Sequence, residues 1–404
     1  AGEALCASTV AYFAYRALQG SATDAWLGAA YLGLAGGLRQ SILVLLLPLW
    51  LGATAVGVRR ARTVVVGLAI TAGAVLTWFL PMIWLTGGLE RYLGASAALA
   101  ESVVKPTSIG AGPLEATLRM SRYVVESVLV GLGPLALAAL LLPWYVRRHG
   151  WGRREWFLTG WTVPPVLVYT LVHFGQAGYV LTFLPALVIL LSRVLIAGLD
   201  GAALAAHPRA RALAAAAVVV LVVVVNGSFF VSARPAPRDF DTPRPSWIRT
   251  AQDEAFDWIW SRTAAALREH GQVVETFVGA IRGLYDPGDT AVVAELGNPR
   301  SYPWLRHAMY YLGEYPIYEL QVGDRPPGYY APRLAHSMAR TAATEIRLPA
   351  SVKRLVWFVD HWSPTSERPR GLEEIELPHG RYLYVLPIGR KPLRYAGYTF
   401  VRGR

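Results

Sequence analysis

The stretch that decides the fold is Ala29–Trp50, which reads AAYLGLAGGLRQSILVLLLPLW. It sets one charged residue, Arg39, between two apolar runs that are too hydrophobic for the core of a water-soluble protein. A helix that crosses a bilayer needs about 20 mostly apolar residues, and a charge inside the membrane is costly enough to indicate a function. The stretch therefore predicts a membrane protein with a cation held at a lipid boundary.

Arg39 needs a partner, and the sequence leaves two alternatives open. In the first, the side chain extends to the membrane surface and meets water and lipid phosphates. In the second, it lines an aqueous pocket and binds a phosphorylated ligand, because a guanidinium stays charged and forks onto phosphate oxygens. The neighbouring Gln40 would add a neutral hydrogen-bond donor to such a pocket.

Composition predicts the class of the whole chain. Its 404 residues are 54% hydrophobic and only 16% charged, whereas soluble domains carry about 25% charged residues. Long uncharged runs fall before Ala233, and the remainder is rich in Arg, Pro, Tyr and Trp. We therefore predict a polytopic α-helical membrane protein with a C-terminal extracytoplasmic α/β domain. The predicted boundaries are 1–232 for the membrane domain, 233–246 for a Pro-rich linker and 247–404 for the α/β domain.

The membrane domain divides into about eight apolar segments of spanning character. A further segment, Leu89–Val104, is amphipathic and is predicted to lie as a helix on the membrane surface. The predicted spans are Ala4–Leu18, Trp26–Leu38, Ser41–Val58, Val64–Thr86, Tyr123–Val146, Trp156–Phe174, Tyr179–Leu199 and Leu213–Val231.

Arginine clusters predict the orientation of these spans. The clusters at 59–62, 147–154 and 209–211 follow the third, fifth and seventh spans, and basic loops stay on the cytoplasmic side. The other connections, and everything after Val231, then face outward from the plasma (inner) membrane. The formal net charge of +12 is explained by these loops, so no nucleic-acid partner is expected.

The same orientation gathers the polar residues that are candidates for ligand binding at the outer face. Because the chain opens inside an apolar helix on that side, an odd number of further spans is expected upstream if the native N-terminus is cytoplasmic. Other interpretations remain for some of these residues: His173 as a helix end in interfacial water, and Glu90 with Arg91 as a surface ion pair. Glu126 is four residues from Arg122, the spacing of a helical ion pair. The candidates are Arg39, Gln40, Glu90, Arg91, His173, Gln176 and Tyr179.

The C-terminal part alternates helical and strand patterns. Val273 to Leu284 has helical spacing, and Asp286–Asp289 is a typical helix stop. His379 and Gly380 predict a hairpin turn, and a further helix is predicted over Trp304–Leu312. The predicted strands are Thr290–Ala294, Ile317–Leu320, Arg354–Val359, Glu374–Leu377, Arg381–Leu386 and Tyr395–Val401. This order of elements indicates a small α/β domain.

Three stretches carry a resemblance to a known family. The pattern G-L-x-x-G-L-R-Q-S-x-L-x-L-L-L-P-L-W of Gly33–Trp50, and Gly178–Tyr179–Val–Leu–Thr–Phe–Leu–Pro185 later on, resemble helices of the GT-C class of membrane glycosyltransferases. Within that class the likeness is to the protein O-mannosyltransferase and aminoarabinose-transferase type. Asp289–Thr–Ala–Val–Val293, followed by Met309–Tyr–Tyr–Leu312, is similar to the extracytoplasmic domains of many bacterial members.

The resemblance implies an enzyme that takes a sugar from a polyprenyl-phosphate carrier at the outer face and passes it to a lipid, glycan or protein. Arg39 would then face the donor phosphate, where negative charge develops as the glycosidic bond breaks. The family's general base is an acidic residue in a first outer loop that has no counterpart in this sequence. The catalytic residue is therefore unknown, and the chain as it stands is not expected to turn over. Apart from the lipid-linked donor no cofactor is expected.

Other classes of function find less support. There is no P-loop, no dinucleotide-binding pattern and no zinc-type spacing of cysteine and histidine, and the single cysteine, Cys6, excludes an intrachain disulfide. A lipid flippase or transporter is the main rival, but the sequence shows no inverted repeat and its charges cluster at one surface. A non-catalytic membrane scaffold with a binding tail is the third alternative.

Overall fold

The computed structural model shows a mostly helical chain whose strands all lie in its C-terminal part. It forms two compact units: the first holds the described residues of 2–89 and 100–231, and the second holds 90–99 and those from 264 onward. The predicted linker, 233–246, lies outside the described residues. The structure describes residues 2–105, 108–109, 111–172, 177–201, 208–231, 263–296, 305–322, 327–331, 340–359, 371–389 and 391–403.

The first part of the chain contains ten α-helices within the described residues. Some are joined by short turns and others by short segments of different helical geometry. Two of these segments are π-helical, Ala100–Val104 and Val168–Val172, and two are 3₁₀ helices, Gly133–Leu141 and Ala177–Thr182. The helices are α1 (Gly2–Leu18), α2 (Ala22–Leu38), α3 (Gln40–Gly57), α4 (Ala61–Leu85), α5 (Leu89–Leu99), α6 (Leu114–Leu132), α7 (Leu142–His149), α8 (Arg153–Leu167), α9 (Leu184–Gly201) and α10 (Pro208–Val231).

Three helical stretches are long and apolar enough to cross a membrane: Gln40–Gly57, Ala61–Leu85 and Met120–His149. Leu184–Leu199 and Ala212–Ser228 are apolar but shorter. Large apolar side chains are exposed along these helices, with Leu140 79% and Leu213 72% accessible. A surface of this kind is typical of contact with lipid rather than water.

Helix ends follow local chemistry. Ser21 caps α2 by accepting a hydrogen bond from the backbone N–H of Asp24 at 3.3 Å, which satisfies one of the first N–H groups. In α9 the second residue is Pro185, a position where the missing N–H costs no helical hydrogen bond.

The sequence predicted one continuous helix over Tyr123–Val146, whereas the structure changes to 3₁₀ geometry at Gly133. The reason is local, since Gly133 has a positive φ of 53° and Pro134 follows it.

Small residues let α2 approach its neighbours closely. A Cβ atom on Gly33 would stand 2.6 Å from both the Cβ of Ala74 and the carbonyl oxygen of Thr71 on α4. Fully buried Trp50 of α3 also contacts α2, because it donates its Nε1–H to the carbonyl of Ala25 at 2.8 Å. Close backbone approach over small residues is the usual basis of helix packing in membranes.

α1 and α2 run antiparallel, so the end of α1 lies beside the start of α2 and the start of α1 lies beside the end of α2. Polar contacts are found at both of these ends of the first unit. At one end Arg16 of α1 pairs with Asp24 of α2 at 3.3 Å, and Arg153 at the start of α8 donates to the carbonyl of Leu18 at 2.6 Å. The start of α1 and the end of α2 meet at the other end, where Arg39 lies. The basic residues that flank α1 and α8 therefore share the end opposite Arg39.

The second unit contains α11 (Ala264–Leu284), α12 (Leu305–Tyr311) and two sheets. The larger sheet has the strand order β4-β3-β2-β1-β6-β8-β7, with β1 parallel to both β2 and β6. The smaller has the order β5-β10-β9. The strands are β1 (Thr290–Leu296), β2 (Ile317–Gln321), β3 (Tyr329–Tyr330), β4 (Arg340–Thr341), β5 (Glu345–Leu348), β6 (Arg354–Trp357), β7 (Glu373–Leu377), β8 (Arg381–Pro387), β9 (Leu393–Tyr395) and β10 (Tyr398–Arg402).

Side chains of the central strand β1 point alternately to the two faces of the large sheet and contribute to two apolar cores. Val292 and Ala294 join a cluster with Phe277 of α11, whereas Ala291 and Val293 join one with Phe400 of the smaller sheet. Successive side chains of a strand point to opposite faces, so one strand serves both clusters. The unit is therefore layered as helices, large sheet and small sheet.

The predicted α/β pattern is found in this unit, with two differences. The segment Tyr395–Val401 is not one strand, because Ala396 and Gly397 have positive φ angles of 46° and 82° and turn the chain between β9 and β10. The sequence also missed β3, β4 and β5, of which two have only two residues. The predicted turn at His379 and Gly380 is confirmed, since it joins the antiparallel pair β7 and β8.

Candidate functional site

The candidate site centres on the break between α2 and α3. Arg39 is the only residue between the two helices, and its backbone is extended, with φ −158° and ψ 115°. Its N–H still closes α2 by donating to the carbonyl of Ala35 at 3.1 Å.

A carboxylate from the first helix holds this guanidinium. Nη1 of Arg39 donates to Oε2 of Glu3 at 2.5 Å, and the side chains are 25% and 13% accessible. The other carboxylate oxygen accepts from the hydroxyl of fully buried Thr182 at 2.6 Å. The start of α1, the junction of α2 with α3 and the 3₁₀ turn before α9 are therefore joined through one carboxylate.

An aromatic ring covers one face of Arg39. The guanidinium carbon lies 3.6 Å from the centre of the Tyr179 ring, which is a close cation–π contact. Tyr179 in turn stands 4.9 Å from the ring of buried Tyr169, whose hydroxyl donates to Oγ of Ser41 at 3.4 Å. The arginine is thus fixed by a salt bridge on one edge and an aromatic ring on one face.

Two of the three guanidinium nitrogens of Arg39, Nε and Nη2, have no hydrogen-bond acceptor among the described residues. In the part of the chain that the structure describes, Nη1 is the only guanidinium nitrogen of Arg39 with a hydrogen bond to an acceptor. The guanidinium has five N–H donors in a rigid fork that matches phosphate geometry. Because the side chain is one quarter accessible, Nε and Nη2 offer a bidentate donor pair on a residue already oriented by its neighbours.

The other candidate residues lie in different places. Tyr179 lies against Arg39, whereas the amide of Gln40 donates to the sulfur of Met82 on α4 at 3.9 Å. Glu90 and Arg91 are exposed on α5 and belong to the second unit. His173 and Gln176 lie outside the described residues.

Sequence reasoning missed Glu3, Thr182, Tyr169 and Ser41. The signal for Glu3 was present, since it is the only acidic residue of α1, a helix whose one other charged residue, Arg16, lies in the last turn. An intramembrane carboxylate calls for a cationic partner, and Arg39 was the obvious one. The other three have common side chains in apolar helices, and only the fold brings them together.

The expected pair of Glu126 with Arg122 is confirmed, with Nε of Arg122 donating to Oε1 of Glu126 at 2.5 Å. This contact explains Glu126 as part of a helical ion pair. Within the described ranges no group of three or more His, Cys, Asp or Glu residues is placed to hold a metal ion.

Comparisons with models of protein families, with curated proteins and with solved structures found no match to this chain. Its function must therefore be argued from the contacts of its own residues.

Proposed function

We propose that this chain is the membrane-embedded and extracytoplasmic part of a glycosyltransferase that uses a polyprenyl-phosphate-linked sugar. Arg39 binds the phosphate of the donor lipid, and the acceptor is a glycan, lipid or protein. The single observation that carries the proposal is the setting of Arg39. This arginine lies between two apolar helices, is oriented by Glu3 and Tyr179, and has one pair of donors, Nε and Nη2, without an acceptor among the described residues.

The chemistry of the donor fits this arrangement. A lipid-linked sugar brings its phosphate to the membrane surface while its tail stays in the bilayer, so the protein must present a cation at the end of an apolar bundle. When the glycosidic bond breaks, the negative charge on the leaving phosphate grows, and oriented N–H donors stabilise it. A preoriented guanidinium does this without reorganising during the reaction.

Glu3 has a positioning role in this proposal. Its carboxylate fixes Nη1 of Arg39 and neutralises the arginine in the absence of ligand, which lowers the cost of a cation among apolar helices. A phosphate that approaches Nε and Nη2 meets a residue whose rotamer is already set. The carboxylate also repels the phosphate, so the pair tunes the affinity rather than maximising it.

The orientation of the bundle supports an outer-face site. Arg153 and Arg16 lie at the end opposite Arg39. Arg153 belongs to the arginine cluster at 147–154, and the positive-inside rule predicts that this cluster and Arg16 face the cytoplasm. In the full proposal the chain has about eight spans in a plasma (inner) membrane, with α5 on its outer surface and the second unit extracytoplasmic.

Equilibrium binding of a polyprenyl phosphate to the purified chain in lipid nanodiscs tests the proposal. Arg39→Ala is expected to weaken binding by about tenfold or more, since a charge-assisted pair contributes at least about 1.5 kcal/mol. Arg16→Ala is the matched control, because Arg16 also pairs with a carboxylate from a neighbouring helix but at the other end of the bundle. Equal loss in both variants, or no loss in either, overturns the proposal.

Arg39→Ala leaves Glu3 without its cation, and that variant can fail by misfolding alone. The double variant Glu3→Gln with Arg39→Gln removes both charges and leaves an amide pair of similar size. It is expected to lose less than half of the stability that Arg39→Ala loses and still to lose binding of the lipid phosphate. Glu3→Gln alone is expected to bind at least as tightly as the wild type, because the competing anion is gone.

A further inference from the structure

A three-residue turn, 150–152, joins α7 to α8 and is flanked by a concentration of positive charge. Two arginines lie in the last turn of α7 and two open α8, and all four are exposed. Among the described residues none of the four forms a salt bridge. We name this group the basic turn, and its members are Arg147, Arg148, Arg153 and Arg154.

The one acidic residue at this turn has other partners. Glu155 is 5% accessible, and its Oε1 accepts from Nη2 of Arg193 on α9 at 2.8 Å and from the hydroxyl of Tyr145 on α7 at 2.9 Å. Its Oε2 accepts from the backbone N–H of Gly152 at 3.1 Å. Glu155 therefore holds the turn in place, but its charge is balanced by Arg193 and not by the four exposed arginines.

Helix electrostatics do not explain all of this positive charge. Basic residues stabilise the C-terminal end of a helix, so Arg147 and Arg148 are favourable for α7. The N-terminal end carries a partial positive charge and favours acidic residues, so Arg153 and Arg154 are unfavourable for α8. Arg153 gains one contact, because its Nη2 donates to the carbonyl of Leu18 at 2.6 Å. An anion bound at the turn would offset the repulsion that remains.

The surface beside the basic turn is apolar and aromatic. The membrane-length stretch Met120–His149 ends at this turn, so the arginines lie where a spanning helix would leave the hydrocarbon. Leu140 is 79% and Trp156 64% accessible, and the guanidinium carbon of Arg148 lies 5.9 Å from the centre of the Trp144 ring. Tryptophan and arginine together are typical of the headgroup level of a membrane.

From these observations we propose that the basic turn binds the headgroup of an anionic phospholipid of the phosphatidylglycerol class. The guanidinium groups pair with the lipid phosphate, and the acyl chains lie along the exposed apolar residues of the neighbouring helices. The proposal does not rest on the transferase function. It holds for either orientation of the first unit, because the turn lies at the end of a spanning stretch in both.

The exposed apolar side chains favour a lipid over a soluble polyanion. Nucleic acid or an acidic protein carries a hydrated surface, and its binding would leave Leu140 and Trp156 facing water. A phospholipid supplies the anion and the hydrocarbon in one molecule. Its chemistry therefore matches both parts of this surface, the arginines and the apolar residues beside them.

Lipid binding to the complete chain, measured by native mass spectrometry from a neutral detergent, tests the proposal. The probes are phosphatidylglycerol and phosphatidylcholine with identical acyl chains, so a preference reports the headgroup. The wild type is expected to prefer phosphatidylglycerol by about tenfold or more. Arg147→Gln with Arg148→Gln is expected to remove most of this preference, because each basic residue near a membrane surface strengthens the attraction to anionic lipid by about fivefold.

Arg154→Gln separates loss of the lipid from loss of the fold. It removes a charge that is unfavourable at the start of α8, so its thermal transition is expected to equal or exceed that of the wild type. Its preference for phosphatidylglycerol is still expected to fall by about fivefold. A purely structural arginine would not show this combination.

Arg59→Gln with Arg60→Gln is the matched control. Both arginines are exposed in the turn between α3 and α4. This turn lies at the same end of the first unit, because Gly57 packs against Ala17, the neighbour of the Leu18 whose carbonyl the basic turn contacts. The control removes as much charge as the first double variant and leaves the basic turn intact, so it is expected to keep the preference of the wild type.

Three results overturn the proposal. The first is equal affinity of the wild type for the two lipids, or a preference that survives both in the Arg147, Arg148 double variant and in Arg154→Gln. The second is an equal loss of preference in the control, which would show a response to total charge and not binding at this turn. The third is displacement of the bound lipid by a short single-stranded oligonucleotide, which would identify a soluble polyanion as the partner.

Discussion

At Arg39 a guanidinium and a carboxylate neutralise each other among apolar helices. Such a pair gains little net stability, because both groups lose their hydration, but removing one partner leaves a charge that nothing compensates. Thr182 and Tyr179 complete the arrangement by holding the carboxylate and covering the guanidinium. The energetic effects of Glu3 and Arg39 are therefore expected to be coupled, so single variants must be compared with the double variant.

The stability of the pair is the first prediction. Arg39→Ala is expected to destabilise the first unit by up to about 3 kcal/mol, the lower limit for breaking a fully buried pair, because it leaves the mostly buried carboxylate of Glu3 without its cation. The double variant Glu3→Gln with Arg39→Gln should recover more than half of that loss. Thermal unfolding of the chain in detergent measures both. Equal destabilisation of the single and double variants would show that the two residues are not energetically coupled.

A second prediction concerns the pH dependence at His307. Its pKa in the folded chain is lowered from 6.5 by burial and by His270, so below pH 6.5 the unfolded chain binds more protons than the folded one. The second unit is therefore expected to keep its full stability above pH 6.5 and to become less stable as the pH falls below that value.

Thermal transitions recorded between pH 5 and pH 7.5 in the presence of a chelator measure this effect. His307→Gln should flatten the pH dependence, because glutamine does not titrate, whereas His149→Gln at the exposed end of α7 should leave it unchanged. A steeper loss of stability in His307→Gln at low pH would contradict the direction of the pKa shift.

At the scale of elements, hydrophobic pattern predicted most helices and strands because burial of one face or of a whole segment sets their limits. The predicted Ser41–Val58 and Val64–Thr86 correspond to α3 and α4 within three residues at either end. The break at Gly133 and the turn at Ala396 depend on positive φ angles, which a hydropathy pattern does not register.

The candidate site was less accessible to prediction than the elements. Arg39 and Tyr179 could be chosen because their positions on apolar segments are conspicuous. The contact between Glu3 and Arg39 joins residues 36 positions apart, and that between Glu3 and Thr182 joins residues 179 apart. Such contacts depend on how helices pack, which a single sequence with no family match does not reveal.

Packing of α2 against α4 gives the third prediction. Gly33→Ala places a Cβ atom 2.6 Å from Ala74 and from the carbonyl of Thr71, so the helices must separate, at a cost of about 1–3 kcal/mol. Gly73→Ala is the matched control on α4, with nothing within 4 Å of its added Cβ. Since alanine favours helix over glycine, Gly73→Ala should be neutral or stabilising by up to about 1 kcal/mol. Thermal unfolding of both variants measures these changes in stability. An equal loss of stability in the two variants would contradict the close contact between α2 and α4.

For the whole molecule, the proposed function requires one orientation of the first unit. The basic residues near Leu18 lie opposite Arg39, and the positive-inside rule predicts that basic residues face the cytoplasm. The proposal therefore expects Arg39 on the outer side of the membrane and an extracytoplasmic second unit.

Labelling with a membrane-impermeant maleimide tests that orientation, and a Cys6→Ser background removes the single native cysteine. In spheroplasts, Glu373→Cys in β7 is expected to react at once, because its side chain is exposed in the second unit. Arg60→Cys, between α3 and α4, is expected to react only after permeabilisation. The reverse pattern would place Arg39 on the cytoplasmic side and exclude an outer-face donor site.

The central claim is that Arg39 recognises the phosphate of a polyprenyl lipid. Its most direct test compares a polyprenyl phosphate with the matching polyprenol, titrated into the wild type and into the Glu3→Gln, Arg39→Gln double variant in nanodiscs. The tails are identical, so any difference in affinity reports the phosphate. We predict about tenfold or stronger preference for the phosphate in the wild type and equal affinities in the double variant. A wild type that binds both lipids equally, or a double variant that keeps the preference, would contradict the account.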